Sequence, residues 1–594
     1  MHNIYKKTAL VLAIASITAC SQYKQETNTN TQDNDNKHEV ELVELEELDK
    51  VIVTSSHISS RISSQKTLPK KAKLPRTRLP TLGTNQPEVK SNLVGHSRGA
   101  AESLAYYPTT QPISIPTTNT ENYNHFKDNQ VKLVQNDPVS TFSIDVDTGA
   151  YSNVRRMLNQ GIVPPHNAIR VEEFINYFNY DYPSPNTTEQ PFSITTELAP
   201  SPWNQDTKLL HIGIQGYEVD NTQRPATNLV FLVDVSGSMN SPNKLGLLKS
   251  SFKLLTKNLT KNDKVAIVVY AGAAGTVLDS TAGDKKSKIL QALNKLNAGG
   301  STNGSAGINL AYQIAEENFI KDGVNRVIIA TDGDFNVGTT NFEQLKELAE
   351  QKRETGVSLT TLGFGSGNYN DALMEQLADA GNGNYAYIDT LKEANKVLVE
   401  EMSSTLMTIA KDVKIQIEFN PLIVSQYRLI GYENRILNNE DFNNDKIDAG
   451  EIGAGHTVTA LYEIVLNGDQ GWIEPLKYQS TDESKPYSNE LATLKVRYKQ
   501  PDSNTSKLIV NTINNKHIIS DIANTSNNFK LSAAVAGFGQ LLRGGKMTQN
   551  FSYDDIKNLA KQTIKDDDFG YRGEFLQLVS LAKSLTNVQA NNVE

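Results

Sequence analysis

Two rhythms of apolar and polar residues divide the chain. Between residues 228 and 405, continuous apolar runs alternate with stretches of helical spacing. The run Asn228-Leu-Val-Phe-Leu-Val233 has no polar position inside it, the pattern of a parallel strand covered on both faces. Further strands are expected at 265–270, 326–330, 357–363 and 385–388. Helices are expected between them at 245–259, 285–296, 306–319, 341–354 and 371–380, with a last helix at 391–405. On either side of this block the rhythm changes to one-by-one alternation. It predicts strands at 192–198 and 208–215 before it, and at 413–419, 427–432, 458–465 and 491–498 after it. A strand at 139–147 and helices at 151–160 and 170–178 open the folded part. Helices at 530–542, 553–564 and 571–585 close it.

Strands alternating with helices imply an α/β fold with a doubly wound parallel sheet. Ligands of such sheets bind beyond the carboxyl ends of the strands, where Asp234 and Asp332 stand. The alternating strands on both flanks would leave open edges if they folded separately. They therefore predict a β-sandwich built from both flanks, with the α/β unit inserted into it and the C-terminal helices added.

Composition changes the picture at the N-terminus. The chain has 594 residues, a net charge of −9 and one cysteine, Cys20. The acidic balance argues against nucleic acid as a partner. A lone cysteine excludes an intramolecular disulfide and a cysteine-based zinc site. Lys6 and Lys7 precede an apolar stretch from Ala9 to Ala19, too short to span a bilayer and of the right length for an export signal. Ile17-Thr18-Ala19-Cys20 resembles the bacterial lipoprotein box. The resemblance implies cleavage after residue 19, lipidation of Cys20, and anchoring in the cell envelope. Ser21 after the cysteine resembles the outer-membrane sorting default. Between residues 21 and 40, Ser, Thr, Asn and Gln supply 11 of 20 positions, too polar to offset the entropy of ordering. Residues 20–130 are thus expected to be a disordered tether.

The chemistry concentrates in three loops. Asp234-Val-Ser236-Gly-Ser238 follows the first strand of the block, Thr302 lies in a glycine-rich loop before a helix, and Asp332 ends a later strand. Together they resemble the metal-ion-dependent adhesion site of the von Willebrand factor type A (VWA) domain. The resemblance implies a site in which Asp234, Ser236, Ser238, Thr302 and Asp332 hold Mg²⁺ or Mn²⁺, with Ca²⁺ ranking behind. Hard oxygen donors suit these ions. It also implies an open coordination position for an Asp or Glu of a protein partner. Asp334 is read as a neighbour of the site. In switching relatives the last helix shifts on ligand binding, and the resemblance makes the helix at 391–405 the candidate for it.

From 131 to 586 the chain resembles bacterial lipoproteins with one segment before the VWA domain and another after it. The expected divisions are a signal peptide at 1–19, a tether at 20–130, an N-terminal segment at 131–222, the VWA domain at 226–406, sandwich strands at 411–500 and a helical segment at 501–594. The resulting reading is a membrane-tethered, cation-dependent protein-binding module, not an enzyme. The alternative is a scaffold or assembly subunit of an envelope complex. A distant third is a serine hydrolase, because Gly95-His-Ser97-Arg-Gly99 matches G-x-S-x-G. That match lies among prolines, without the strand and helix a nucleophile elbow needs. Two further acidic motifs are candidate cation sites: Asp145 with Asp147, and the Asp441–Glu451 loop. The loop opens D-x-N-x-D but has Lys446 and Ile452 where a calcium loop needs Gly and Glu.

Overall fold

Strands β1 (Lys132–Leu133) and β2 (Val139–Ser143) lead to helices α1 (Gly149–Asn159) and α2 (Val171–Asn176), then to strands β3 (Phe192–Pro200) and β4 (Lys208–Gly216). The inserted unit begins at β5 (Thr227–Asp234), every residue of which is buried. It continues through α3 (Leu247–Asn258), β6 (Lys264–Tyr270), β7 (Ala274–Ala282), α4 (Lys286–Lys295), α5 (Gly304–Glu317), β8 (Val324–Thr331) and α6 (Phe342–Glu354). It ends with β9 (Val357–Phe364), α7 (Asp371–Ala380), β10 (Tyr385–Ile388), α8 (Leu391–Asn395) and α9 (Met402–Leu406). The chain then returns through β11 (Thr408–Phe419), β12 (Val424–Ile430), β13 (Ile452–Gly453), β14 (Thr457–Leu466), β15 (Glu490–Lys499) and β16 (Ser506–Asn514). Helices α10 (Asn527–Leu542), α11 (Tyr553–Lys561) and α12 (Tyr571–Asn591) close it. This computed structural model describes residues 120–185, 189–219, 224–301, 304–333, 342–474 and 489–591. The expected signal peptide, Cys20, most of the tether, Ser97, Thr302 and Asp334 lie outside them.

The inserted sheet has the order β10-β9-β8-β5-β6-β7. All its pairs are parallel except β6–β7. Its two faces bury separate apolar clusters: Leu229, Phe231 and Val233 point to one side, and Val230 and Leu232 to the other. This two-sided burial is why β5 reads as an unbroken apolar run.

The flanks build two antiparallel sheets, β1-β12-β14-β4-β3 and β13-β11-β15-β16, with β2 also paired to β11. Leu210, Ile212 and Ile214 of the first sheet share one core with Ile415, Ile417, Leu494 and Val496 of the second, which makes a sandwich. The outer face of the first sheet carries Leu209 and Leu461 into a second core with α1, α2 and α10 to α12. Thus β4 and β14, one from each flank, are neighbours in register from Thr457↔Gln215 to Ile464↔Lys208. The inserted unit leaves after β4 and rejoins at β11.

Several expectations differ from what is found. The sheet is mixed, because β7 turns back as an antiparallel edge. Residues 501–594 are not all helical: β16 is the edge strand of the second sheet. It was not legible because Leu508 and Val510 face solvent while Ile509 and Ile513 face inward, so apolar residues fall on both faces and the polar-apolar alternation is lost. The strand expected at 139–147 ends at Ser143, and Asp145 and Asp147 lie in the turn beyond it, where Asp147 N donates to Asp145 Oδ1 at 2.9 Å. Residues 120–130, expected to belong to the tether, are described and the first of them pair with the inserted unit. Thr120 N and Asn122 N already donate to Gly367 O (2.8 Å) and Tyr369 O (2.9 Å) on the loop after β9. The single helix expected at 391–405 is α8, a wider π-type turn at Lys396–Glu400, and α9. The wide turn carries Lys396 onto Glu401 and over the Tyr177 ring, 4.6 Å from its centre; a tertiary contact outweighs local helical spacing there.

Candidate metal-binding site

The site lies at the carboxyl ends of β5 and β8. Asp234 is the last residue of β5 and is fully buried. Its Oδ1 accepts from Ser236 N at 2.8 Å, which folds the next residues back over the strand end. Its Oδ2 accepts from Thr331 Oγ1 (2.9 Å) and Tyr270 OH (3.2 Å), at the ends of the two neighbouring strands. Burial pushes the Asp234 carboxyl above its ordinary range, the Ser236 backbone and hydroxyl pull it down, and Asp332 pushes it up again. The Ser236 and Ser238 hydroxyls lie 2.9 Å apart. Ser236 is buried and Ser238 is exposed, so the pair runs from the strand end to solvent.

The second loop is held against the first by two backbone bonds, Gly237 N to Gly300 O (3.0 Å) and Gly299 N to Val235 O (2.8 Å). Thr302, two residues beyond Gly300, is outside the described residues. Asp332 follows β8 and is fully buried. Its Oδ2 accepts from Lys244 Nζ at 2.8 Å, and the same ammonium reaches Asn368 Oδ1 at 3.0 Å. Gly333 has φ +90°, and a Cβ there would sit 2.3 Å from Asn370 N. Glycine is thus required where this loop presses on the one after β9.

The donor set fits a hard divalent cation: two buried carboxylates, two adjacent hydroxyls, and an opening to solvent. The structure brings Asp234, Ser236, Ser238 and Asp332 to one strand-end cluster. Sequence reasoning missed Tyr270, Thr331, Asn368 and Lys244. Thr331 and Tyr270 read as ordinary strand residues. Lys244 stands just before the helix expected at 245–259, and only the fold shows that it turns inward.

The other acidic candidates are held by the protein's own cations. Carboxylate oxygens of Asp145, Glu173 and Glu375 lie within 4.8 Å of one another. Arg435 donates to Asp145, Asp147, Glu375 and Asp379, while Arg170 donates to Glu173 and Asp371. These pairs join the N-terminal segment and the returning strands to α7. Burial pushes Glu375 up to about 7 and Glu172, near Glu433 and Asp145, up to about 8. In the Asp441–Glu451 loop, Asp441 caps the turn at Asn438. Lys414 Nζ donates to the carbonyls of Asp441 (3.1 Å) and Asn444 (2.6 Å), and Lys499 Nζ to that of Asp445 (2.8 Å). The carboxylates a calcium loop would offer are engaged as well: Asp445 Oδ1 accepts from Arg497 Nη2 at 2.9 Å, and Asp441 Oδ2 from Asn438 N and Nδ2.

Fold and strand-end loops together define a VWA-domain protein, and comparison with known proteins agrees. The model of the von Willebrand factor type A domain matches residues 228–401. A second model, described as von Willebrand factor, matches 117–211, and a third, described as uncharacterized protein YfbK, C-terminal, matches 404–585. The Escherichia coli K12 protein YfbK is 47% identical over 496 residues, covering 82% of this chain and 85% of that protein. The chain belongs to the family of that protein. A mouse inter-alpha-trypsin inhibitor heavy chain 4 is 26% identical over 28% of this chain and 18% of its own length. A solved structure described as von Willebrand factor type A from Catenulispora acidiphila covers 66% of this chain and 89% of its own, at 15% identity and a TM-score of 0.35.

Proposed function

We propose that this chain is a divalent-cation-dependent protein-binding module, with Asp234, Ser236, Ser238, Thr302 and Asp332 holding Mg²⁺ or Mn²⁺. The observation that carries the reading is the hydroxyl pair of Ser236 and Ser238, 2.9 Å apart, above a buried Asp234 and opening to solvent at Ser238. An ion held there by few charged groups stays electrophilic, and an Asp or Glu of a protein partner can complete its shell. The reading includes attachment to the outer membrane of the cell envelope, facing the periplasm or the surface, through lipid on Cys20.

The test is capture from envelope extract by wild type and by Asp234→Ala, with and without Mg²⁺. Mg²⁺-dependent capture by wild type alone is expected. An identical set of captured proteins in all four arms would refute the reading. The attachment is tested separately: Cys20→Ser should lose palmitate labelling and leave the membrane fraction.

A scaffold role is the second reading. It is favoured by the buried ion pairs that Arg155, Arg170 and Arg435 make between the inserted unit and both flanks. They make the VWA unit an integral part of a larger rigid body. Partner capture that survives chelation would favour it.

A further inference from the structure

Lys244 is an unusual residue to find beside a cation site. It is 8% exposed, it lies in the turn Pro242–Gly246 that leads into α3, and its ammonium points at Asp332. The fold makes room for it. Gly365, after β9, has φ +80°, and a Cβ there would meet Lys244 Cγ and Cε at 2.4 Å. The lysine stem runs over the bare glycine backbone and ends between Asp332 Oδ2 and Asn368 Oδ1.

Charge arithmetic shows what this does. Among the described residues, the formal charges that meet at the strand ends are Asp234, Asp332 and Lys244, net −1. A divalent cation brings that to +1, and one carboxylate from a partner brings it to zero. Without the ammonium, the loaded site would already be neutral and an arriving carboxylate would leave it negative. Opposite and like charges at this range, in a buried setting, interact far more strongly than in water.

We propose that Lys244 is a built-in counter-charge that loosens the metal and sharpens the loaded site for a single carboxylate. The proposal rests on the adhesion-site reading above. It gives the lysine a positioning and specificity role through Asp332, with no contact to the partner required. A lysine serving only to brace the loop would affect metal and carboxylate binding in the same direction. A counter-charge affects them in opposite directions.

The experiment measures Mn²⁺ binding to the full chain by electron paramagnetic resonance. Acetate binding to the Mn²⁺-loaded protein is then followed by the loss of water-proton relaxation as a metal-bound water is displaced. Lys244→Met and Lys244→Gln remove the charge, and the glutamine keeps a hydrogen-bond donor for Asp332. Asp234→Ala is the control for the site, and thermal melts report folding of each variant. Both lysine variants should bind Mn²⁺ at least tenfold more tightly and acetate at least fivefold more weakly than wild type. If wild type binds Mn²⁺, Asp234→Ala does not, and the glutamine variant leaves Mn²⁺ affinity unchanged or lower, the counter-charge proposal is overturned alone. Unchanged or tighter acetate binding overturns it too. If wild type binds no Mn²⁺, or Asp234→Ala binds it equally, the adhesion-site reading falls and takes this proposal with it.

Discussion

Arg155 joins three parts of the chain, and replacing it with Met should show how much that junction matters. The residue sits on α1 with its side chain 1% exposed. Its Nε and Nη2 grip both oxygens of Asp389 (2.8 and 2.5 Å), and Nη2 also reaches Glu393 Oε2 at 2.7 Å on α8. Nη1 donates to Tyr177 OH (2.7 Å) and Glu574 Oε2 (3.3 Å), the latter on α12. Asp389 and Glu393 are 3% and 0% exposed. Methionine fills part of the volume but removes the cation, taking both grips from Asp389 and leaving Glu393 to Tyr177 OH (2.8 Å) and the charge of Lys396. Breaking a buried pair in this way costs about 3–5 kcal/mol. With an unfolding entropy of roughly 2.1 cal/mol/K per residue over some 450 residues, the melting temperature should fall by about 3–5 °C. Denaturant unfolding of wild type, Arg155→Met, Glu393→Gln and the double variant forms the assay. The double variant should recover at least about 1 kcal/mol relative to Arg155→Met, because the glutamine removes one stranded charge. The loss should also shrink toward pH 5, since burial already raises the Glu393 carboxyl and protonation relieves it. A loss below about 1 kcal/mol, or strictly additive single losses, would refute the view that this seam is electrostatically locked.

Stability should fall as pH rises from 7 to 9. Burial raises Glu172 to about 8, and Glu375 and Glu451 to about 7. The folded chain therefore holds protons the unfolded chain has lost, and the stability present at low pH is lost as pH passes those values, by about 2 kcal/mol in total. His211, held down to about 3 by burial, has lost most of its proton in both states above pH 7 and does not offset this; a slope undiminished in Glu172→Gln would count against the assignment. Adding Mg²⁺ at about one hundred times its dissociation constant should stabilise wild type by about 2.7 kcal/mol, reversed by EDTA and absent in Asp234→Ala, as read by thermal melts. Gly365→Ala should destabilise by at least about 1–2 kcal/mol, because φ +80° disfavours a side chain and the new Cβ meets the Lys244 stem. Unchanged denaturant midpoints would show that Lys244 is not seated against that backbone.

The sequence alone determined the α/β alternation, the insertion between alternating flanks, and the strand-end positions of Asp234 and Asp332. Those features are local: apolar rhythm follows from which faces of an element are covered, and β5 announces double coverage in eight residues. It also supplied Ser236 and Ser238, because their spacing from Asp234 is short. The tertiary structure decided what depends on distant partners. Asp145 and Asp147 looked like a strand pair open to a cation, but Arg435, some 290 residues away, fills that role. The 391–405 segment reads as one helix, yet Lys396 finds Tyr177 and Glu401, and the helix breaks around that contact. Nothing local marks Lys244; the fold lays Gly365, just after β9, beneath its stem and Asp332, just after β8, in front of its ammonium. A charge inside a protein is tolerated only where a counter-charge meets it, and long-range folding alone settles which pairs meet.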